Sequence, residues 1–272
     1  MLINGKADTQ IAATDRGLQF GDGLFETIAI KDGQPCLWRR HLDRLLSGCS
    51  RLAITPPDAD QLYDEVFKEI GEEKQGVIKI IVTRGPGKRG YRPQSNTTPT
   101  RIVNWNRSPA FPDQVYQRGI IARLCSTRLG WNPALAGLKH LNRLEQVLAR
   151  SEWHDPSIQE GLMMDAADRV IEGTSSNLFV IQNDKLHTPD LSRCGVAGVM
   201  QGLIIEVAEE LDIPIVVSDI SLHDLWTADS LFVSNSLIGI WPIRELSGQE
   251  FSLDAIPDKL MDTILDRGFR NE

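Results

Sequence analysis

The chain has 272 residues, of which 41% are hydrophobic and 24% are charged, and its formal net charge at pH 7 is −8. This length accommodates one large domain or two smaller ones, and the composition is ordinary for a globular protein. The negative charge argues against nucleic acid or an anionic membrane as the main partner, and no apolar run approaches the roughly 20 residues that span a bilayer. The cysteines show neither a CxxC pair nor metal-ligand spacing, which predicts reduced thiols, a cytoplasmic location and no metal site; they are Cys36, Cys49, Cys125 and Cys194.

The first hundred residues alternate between helical and strand-like patterns. Apolar residues at helical spacing predict helices within 42–52 and 62–70, the second after a Pro-Pro-Asp start. Runs rich in β-branched residues predict strands at 77–83 and 101–105.

Residues 85–90 match the pattern GxGxxG and follow a predicted strand. A dinucleotide-binding loop must open a helix, so that backbone amides face the pyrophosphate. The next residues, Tyr91-Arg92-Pro93, do not favour a helix, so we do not expect a dinucleotide site. The loop is either a solvated basic loop or a surface that presents guanidinium groups to a carboxylate; its basic residues are Arg84, Lys88, Arg89 and Arg92.

A proline-interrupted polar segment at 107–114 is the best candidate for a linker. We therefore predict a small N-terminal α/β domain at 1–107, a linker at 108–117 and a larger C-terminal domain at 118–272. The mixed order of elements favours the α+β class. Strands are predicted at 119–125, 161–165, 169–182, 213–218 and 230–234, and helices at 140–153, 200–211 and 257–267.

Lys139 follows the apolar segment 134–138 and is predicted to open the helix at 140–153. Loss of water at such a junction lowers the pKa of an amine and makes it a usable nucleophile and base. The alternative is an ordinary solvated lysine near a helix end. The apolar face of this helix is expected to be Leu141, Leu144, Val147 and Leu148.

Two further segments allow cofactor chemistry. Glu172 ends a predicted strand before small hydroxyl residues, and it is either an exposed hairpin residue or a buried carboxylate that keeps a ring nitrogen protonated. Glycines at 195–202 precede a predicted helix, where free amides could bind a phosphate. Arg44, Asn235 and Ser236 could complete such a phosphate site.

Three segments carry a resemblance to a known family: residues 20–26 (FGDGLFE), 41–45 (HLDRL) and 172–177 (EGTSSN). Together they resemble the fold type IV pyridoxal-phosphate enzymes, which include branched-chain and D-amino-acid aminotransferases and 4-amino-4-deoxychorismate lyases. Within that group, residues 128–148 (RLGWNPALAGLKHLNRLEQVL) and 84–91 (RGPGKRGY) are most similar to the lyases. The resemblance covers nearly the whole chain and implies a two-domain α+β fold, a cofactor in the cleft between the domains, and a homodimer.

The resemblance also implies roles for individual residues. Lys139 is expected to be the catalytic residue and to join covalently to the aldehyde of pyridoxal phosphate, while Glu172 pairs with the pyridine nitrogen. The groups expected to hold the phosphate or to support the cofactor are Arg44, the backbone amides of Val199 and Met200, Asn235, Ser236 and Asn177. The residues expected to bind the substrate or line its pocket are Arg89, Tyr91, Phe25, Glu26 and Asn142.

The implied activity is that of a pyridoxal-phosphate-dependent carbon–oxygen lyase. Its substrate, 4-amino-4-deoxychorismate, would lose pyruvate and give 4-aminobenzoate for folate biosynthesis. Lys139 would remove the proton from the carbon that bears the amine, and aromatisation of the ring would favour the elimination. Two alternatives stay open: an aminotransferase for D-amino acids or branched-chain amino acids on the same fold, and a non-catalytic pyridoxal-phosphate-binding protein without a reactive lysine.

Overall fold

The computed structural model describes residues 1–95, 97–109, 111 and 114–269. The chain forms two compact units: unit 1 comprises Met1–Pro109, Lys139–Asn142 and Phe269–Glu272, and unit 2 comprises Ala110–Leu138 and Arg143–Gly268. The division into domains at 1–107 and 118–272 stays a prediction. In the structure, the segment with Lys139 groups with unit 1, although its flanking residues belong to unit 2.

Unit 1 is built on a six-stranded antiparallel sheet of order β2-β1-β6-β5-β3-β4. The helices and strands predicted here from periodicity are confirmed, whereas the long strand β3 was not predicted. The elements are β1 (Leu2–Ile3), β2 (Lys6–Ala7), α1 (Arg16–Phe20), β3 (Gly23–Lys31), β4 (Gln34–Pro35), α2 (Trp38–Arg51), α3 (Ala59–Ile70), β5 (Gln75–Thr83) and β6 (Thr100–Asn106).

Burial alternates along β3, and this alternation organises unit 1. Glu26, Ile28 and Ile30 are buried, whereas Phe25 and Thr27 are half-buried. Successive side chains of a strand point to opposite faces, so β3 presents one fully buried face and one partly open face. Helix α2 packs against β3.

Unit 2 is built on a nine-stranded sheet of order β12-β11-β10-β13-β14-β7-β8-β9, with β15 on β14. Because β9 also pairs with β10, six of these strands close into a ring, and the closing pair is Glu172 with Asn177. The elements are α4 (Gln114–Arg118), β7 (Ile120–Leu129), α5 (Leu144–Arg150), β8 (Ile158–Asp165), β9 (Val170–Gly173), β10 (Asn177–Gln182), β11 (Lys185–Pro189), α6 (Val199–Glu210), β12 (Ile215–Ser218), α7 (Leu222–Trp226), β13 (Ser230–Asn235), β14 (Gly239–Leu246), β15 (Gln249–Glu250) and α8 (Asp258–Gly268).

The predicted helix at 140–153 is wrong at both ends. Lys139 and Leu141 instead bond to β3, because the amide of Phe25 donates to the carbonyl of Lys139 and the amide of Leu141 donates to the carbonyl of Gly23, each at 3.0 Å. The helix therefore begins only at Leu144. Three of its apolar residues are exposed rather than part of a core, whereas Ala149 is buried: Leu144 is 76% exposed, Val147 56% and Leu148 60%.

Other predictions for the chain from residue 108 onward agree more closely with the structure. The predicted strand 169–182 is two strands, β9 and β10, joined by residues 174–176. Within the predicted linker 108–117, residues from 114 onward form helix α4, whereas Ala110, Pro112 and Asp113 lie outside the described residues. The α+β class is confirmed. No helix in the described part of the chain is long and apolar enough to cross a membrane.

Candidate active site

Lys139 lies in an extended segment between two isolated strand bridges. Before it, Gly137 pairs with Val196 in unit 2, and after it, His140 pairs with Leu24 in unit 1. The side chain is half-buried, and its Nζ lies 4.4 Å from the centroid of the Phe25 ring. The backbone of the lysine is thus fixed on both sides, and its Nζ atom lies over an aromatic ring.

A buried charge cluster lies on the opposite face of β3 from Phe25. The carboxylate of Glu26, which is 1% exposed, accepts hydrogen bonds from Nε and Nη2 of Arg44 at 2.8 and 2.5 Å. It also lies 2.6 Å from Nδ1 of the fully buried His41. Here the structure differs from the prediction that Phe25 and Glu26 line one pocket, because adjacent residues of a strand point to opposite faces.

The protonation of this cluster follows from its contacts. Burial alone would raise the pKa of Glu26, but the Arg44 guanidinium and the hydrogen bond from His41 hold it at about 2. Burial lowers the pKa of His41, against the opposing effect of Glu26, so the imidazole is neutral at pH 7. Nδ1 of His41 therefore donates to Glu26, and its Nε2 has no hydrogen-bond partner among the described residues.

Within residues 85–95, Gly85 is buried and Gly87 half-buried, and the other residues are exposed. As expected, these residues do not open a helix. Arg89 is exposed, and Tyr91 is 84% exposed with its ring 5.4 Å from that of Phe20. Arg84 is not available to a ligand, because its guanidinium binds Asp22 and the carbonyls of Leu52 and Ala53.

Asn142 is exposed and donates from Nδ2 to the carbonyl of Gly21 at 3.2 Å. Gly21 caps the end of α1 with a φ of 64°, a conformation that favours glycine. Asn142 therefore holds the turn that leads into β3.

Unit 2 buries the predicted partner of the ring nitrogen. Glu172 is 4% exposed, and its Oε2 accepts a hydrogen bond from the amide of Val196 at 2.8 Å. Gln146 donates to Oε1 at 3.4 Å. Of the two interpretations left open by the sequence, an exposed hairpin glutamate is wrong, because the side chain is buried and hydrogen-bonded.

Helix α6 begins close to Glu172, and within the described residues no side chain caps its first backbone amides. Its N-cap is Gly198, which supplies no side-chain cap, and its first residues are Val199 and Met200. Asn177 donates from Nδ2 to the carbonyl of Val196 at 2.9 Å, and a Cβ atom on Gly198 would lie 2.0 Å from its Oδ1. A glycine is required here because Asn177 occupies the space that any side chain would need.

Asn235 and Ser236 lie where β13 passes into a turn. Oδ1 of Asn235 accepts from the amides of Leu237 and Ile238 at 2.8 and 3.1 Å, and its Nδ2 donates to the carbonyl of Ser175 at 3.1 Å. Ser236 is half-buried in the same turn. Within unit 2, Asn235 is therefore tied to the segment between Glu172 and Asn177.

Sequence reasoning missed three residues, one in unit 1 and two in unit 2. His41 lies within a quoted motif but received no role, and the Val196 amide and Glu160 were not considered. A signal for Glu160 existed in the sequence, because it directly precedes the mostly apolar predicted strand at 161–165, and a buried carboxylate must find donors.

The chain belongs to the class IV aminotransferase family, whose model matches residues 23–246. The chain is 36% identical over 252 residues to an aminodeoxychorismate lyase of Vibrio harveyi, with 93% of both chains covered. It is similar to the crystal structure of 4-amino-4-deoxychorismate lyase from Pseudomonas aeruginosa at 46% identity and a TM-score of 0.93, covering 97% of both chains. A D-alanine aminotransferase of Listeria monocytogenes is 26% identical over 248 residues, which cover 89% of this chain and 84% of that protein. The family resemblance inferred from the sequence motifs is confirmed.

Proposed function

We propose that this chain is a 4-amino-4-deoxychorismate lyase, which converts its substrate into 4-aminobenzoate and pyruvate. The observation that carries the proposal is its end-to-end similarity to the Pseudomonas aeruginosa lyase. The two products together contain all the atoms of the substrate, so the reaction consumes neither water nor an oxidant. The same fold supports aminotransferases, and the assay below distinguishes the two activities.

The described residues fit pyridoxal phosphate as the cofactor. The uncapped start of α6 offers the amides of Val199 and Met200 to a phosphate, and Glu172 is a buried carboxylate suited to a protonated ring nitrogen. When bound, the cofactor supplies an electron-poor ring that stabilises charge at the carbon bearing the substrate amine. The remaining residues that we assign to cofactor binding are Arg44, Asn177, Asn235 and Ser236.

Lys139 is the group that we assign to covalent attachment of the cofactor and to proton transfer. Its neutral amine removes the proton from the amine-bearing carbon, and it is the first candidate to return a proton to the departing enolpyruvate. The fixed backbone on both sides of Lys139 limits the positions that its amine reaches. Phe25 adjoins this amine, and we assign Arg89, Tyr91 and Asn142 to the binding of the anionic substrate.

We assign Glu26 to orienting Arg44 rather than to contacting substrate. Its carboxylate already accepts hydrogen bonds from Arg44 and His41. A buried guanidinium–carboxylate pair fixes the plane of the arginine. Arg44 is then held in a single orientation for a phosphate group.

The first experiment supplies purified protein with 4-amino-4-deoxychorismate and measures 4-aminobenzoate and pyruvate. Equal amounts of both products are expected, and Lys139→Ala should abolish them. Borohydride reduction and peptide mapping should label Lys139 and not Lys79, a second lysine 5.3 Å from the Phe25 ring. Rapid transamination of D-alanine or a branched-chain amino acid with a 2-oxo acid, without 4-aminobenzoate, would instead identify an aminotransferase.

We further propose that the protein acts as a homodimer. Helix α5 exposes Leu144, Val147 and Leu148 together, and a clustered apolar face of this kind marks an interaction surface. In light scattering, the double change Leu144→Lys and Leu148→Lys should yield monomers, while Val217→Lys, at a residue 56% exposed in β12, should not. An unchanged mass for the double variant would exclude α5 from the interface.

A cytoplasmic location is part of the same proposal. All four cysteines are buried and free, and unpaired thiols are typical of a reducing compartment.

A further inference from the structure

Glu160 is a buried carboxylate outside the residues assigned above. It lies in β8, is 4% exposed, and faces the segment that joins β9 to β10. Its Oε1 accepts from the amide of Gly161 at 2.8 Å and from the amide and hydroxyl of Thr174 at 3.0 and 2.5 Å. Its Oε2 accepts from the hydroxyls of Ser175 and Ser176 at 3.2 and 2.7 Å, and from the amide of Ser175 at 3.4 Å.

Through these hydrogen bonds the carboxylate holds three consecutive residues in place: Thr174, Ser175 and Ser176. Burying a charge is unfavourable unless hydrogen bonds replace water, and here every described donor is a neutral amide or hydroxyl. An ion pair with one flexible side chain would leave the segment freer to move than the five amide and hydroxyl donors that residues 174–176 supply. Hydrogen bonds to a charged acceptor are also stronger than neutral ones.

The space around Gly173 shows that the Glu160 carboxylate lies directly against the turn. A Cβ atom at this position would lie 2.2 Å from Oγ of Ser176 and 2.9 Å from the carboxylate of Glu160. The amide of Gly173 donates to the carbonyl of Ser176 at 2.7 Å. The turn and the carboxylate are thus packed against each other, with no space for a side chain at Gly173.

The same segment connects three residues of the proposed cofactor site. Glu172 and Asn177 are its two ends and pair directly with each other. Asn235 donates to the carbonyl of Ser175 in its middle. A shift of residues 173–176 would therefore displace all three.

We propose that Glu160 is a positioning residue, which holds residues 173–176 so that Glu172, Asn177 and Asn235 keep the arrangement that the cofactor requires. This inference rests on the proposed function only in the identity of the cofactor. Glu160 itself acts through the segment and not on the substrate.

The test compares Glu160→Gln with wild type in three measurements: the dissociation constant of pyridoxal phosphate, the pH midpoint of the absorbance change of the bound cofactor, and kcat against KM. The amide keeps the shape of the side chain but removes the charge and one acceptor. We expect the dissociation constant to rise about tenfold, corresponding to about 1.4 kcal/mol, the pH midpoint to shift, and kcat to fall with KM changed less than about threefold.

Glu152→Gln is the matched control, because Glu152 also accepts several hydrogen bonds from neighbouring residues of unit 2, here in strand β7. Its donors are the amide of Ser126 and the amide and hydroxyl of Thr127, each at 2.8 Å, and Nη2 of Arg123 at 3.4 Å. None of these residues is assigned to the cofactor or to the substrate. This control should lower the thermal midpoint without changing cofactor affinity or the pH midpoint. If Glu160→Gln behaves in the same way, Glu160 has a purely structural role and the proposal is wrong.

Ser176→Ala provides a second variant if Glu160→Gln does not fold. It removes one donor at 2.7 Å and should raise the dissociation constant about threefold; an unchanged constant would overturn the proposal. Cofactor affinity is measured without turnover. A wild-type protein that binds pyridoxal phosphate but makes no 4-aminobenzoate would contradict the proposed reaction, and the variants would still decide the role of Glu160.

Discussion

Replacing Glu26 by glutamine should destabilise the protein by an amount that depends on pH. The pKa of Glu26 lies at about 2 in the folded chain, against an ordinary value of 4.5, and this depression corresponds to about 3 kcal/mol of stability at pH 7. Because the folded-state pKa is the lower one, this stability is present above pH 4.5 and is lost as the pH falls towards 2. The variant lacks it at every pH, so the difference from wild type should shrink to about 2 kcal/mol at pH 3.5.

Thermal unfolding of the cofactor-free protein, followed by circular dichroism from pH 3.5 to 7, measures this difference. At pH 7 the midpoint should fall by roughly 6 to 12 °C. A control variant, Glu65→Gln, removes another buried carboxylate of unit 1, which binds Arg101 at 2.6 Å; it should destabilise the fold without weakening cofactor binding, whereas Glu26→Gln should weaken it by releasing Arg44. A pH-independent difference for Glu26→Gln, or one below about 2 °C at pH 7, would refute the reasoning.

Gly198→Ala should destabilise the protein by about 1 to 3 kcal/mol and weaken cofactor binding, because the new Cβ would lie 2.0 Å from Oδ1 of Asn177. Gly202→Ala in the same helix meets no atom within 4 Å, so it should leave cofactor affinity unchanged and raise the thermal midpoint; equal effects of the two changes would contradict the assignment. Burial raises the pKa values of the four thiols to about 11 or 12. At pH 8 the native protein should therefore resist iodoacetamide until it is unfolded. Rapid labelling of any cysteine, detected by mass spectrometry, would show that its burial is incomplete.

The sequence placed Lys139 at the junction between an apolar segment and a helix, and this local structure is wrong; the role of the lysine stays a prediction. Apolar residues at helical spacing continue through the segment, yet residues 139–141 bond to β3 because hydrogen bonds over long sequence distance outweigh local propensity. The same helical spacing placed Leu144 and Leu148 on the apolar face of a helix, and in the structure both are exposed on α5. Periodicity reports which residues share a helix face and does not reveal whether that face is covered.

The position of Glu26 shows a different limit. Its motif was recognised, but β3 was not predicted as a strand, so the opposite orientations of Phe25 and Glu26 could not be deduced. The hydrogen bonds of Glu160 could not be predicted from the sequence either. Apart from the adjacent Gly161, its donors lie between 14 and 16 residues further along the chain. Such a network depends on how β8 and β9 pair, which the chain pattern alone does not specify.

The ring of strands in unit 2 has one weak junction, between β9 and β10, which we call the seam. Within the described part of the chain, β9 and β10 are paired at one position, Glu172 with Asn177, whereas β10 and β13 are paired at five positions. Where few backbone hydrogen bonds hold two strands, local opening needs less free energy and amide hydrogens exchange sooner. A ligand that binds only the closed seam suppresses this opening by mass action. Deuterium uptake by residues 172–177 should therefore report directly how much of the protein carries its cofactor, without any measurement of turnover.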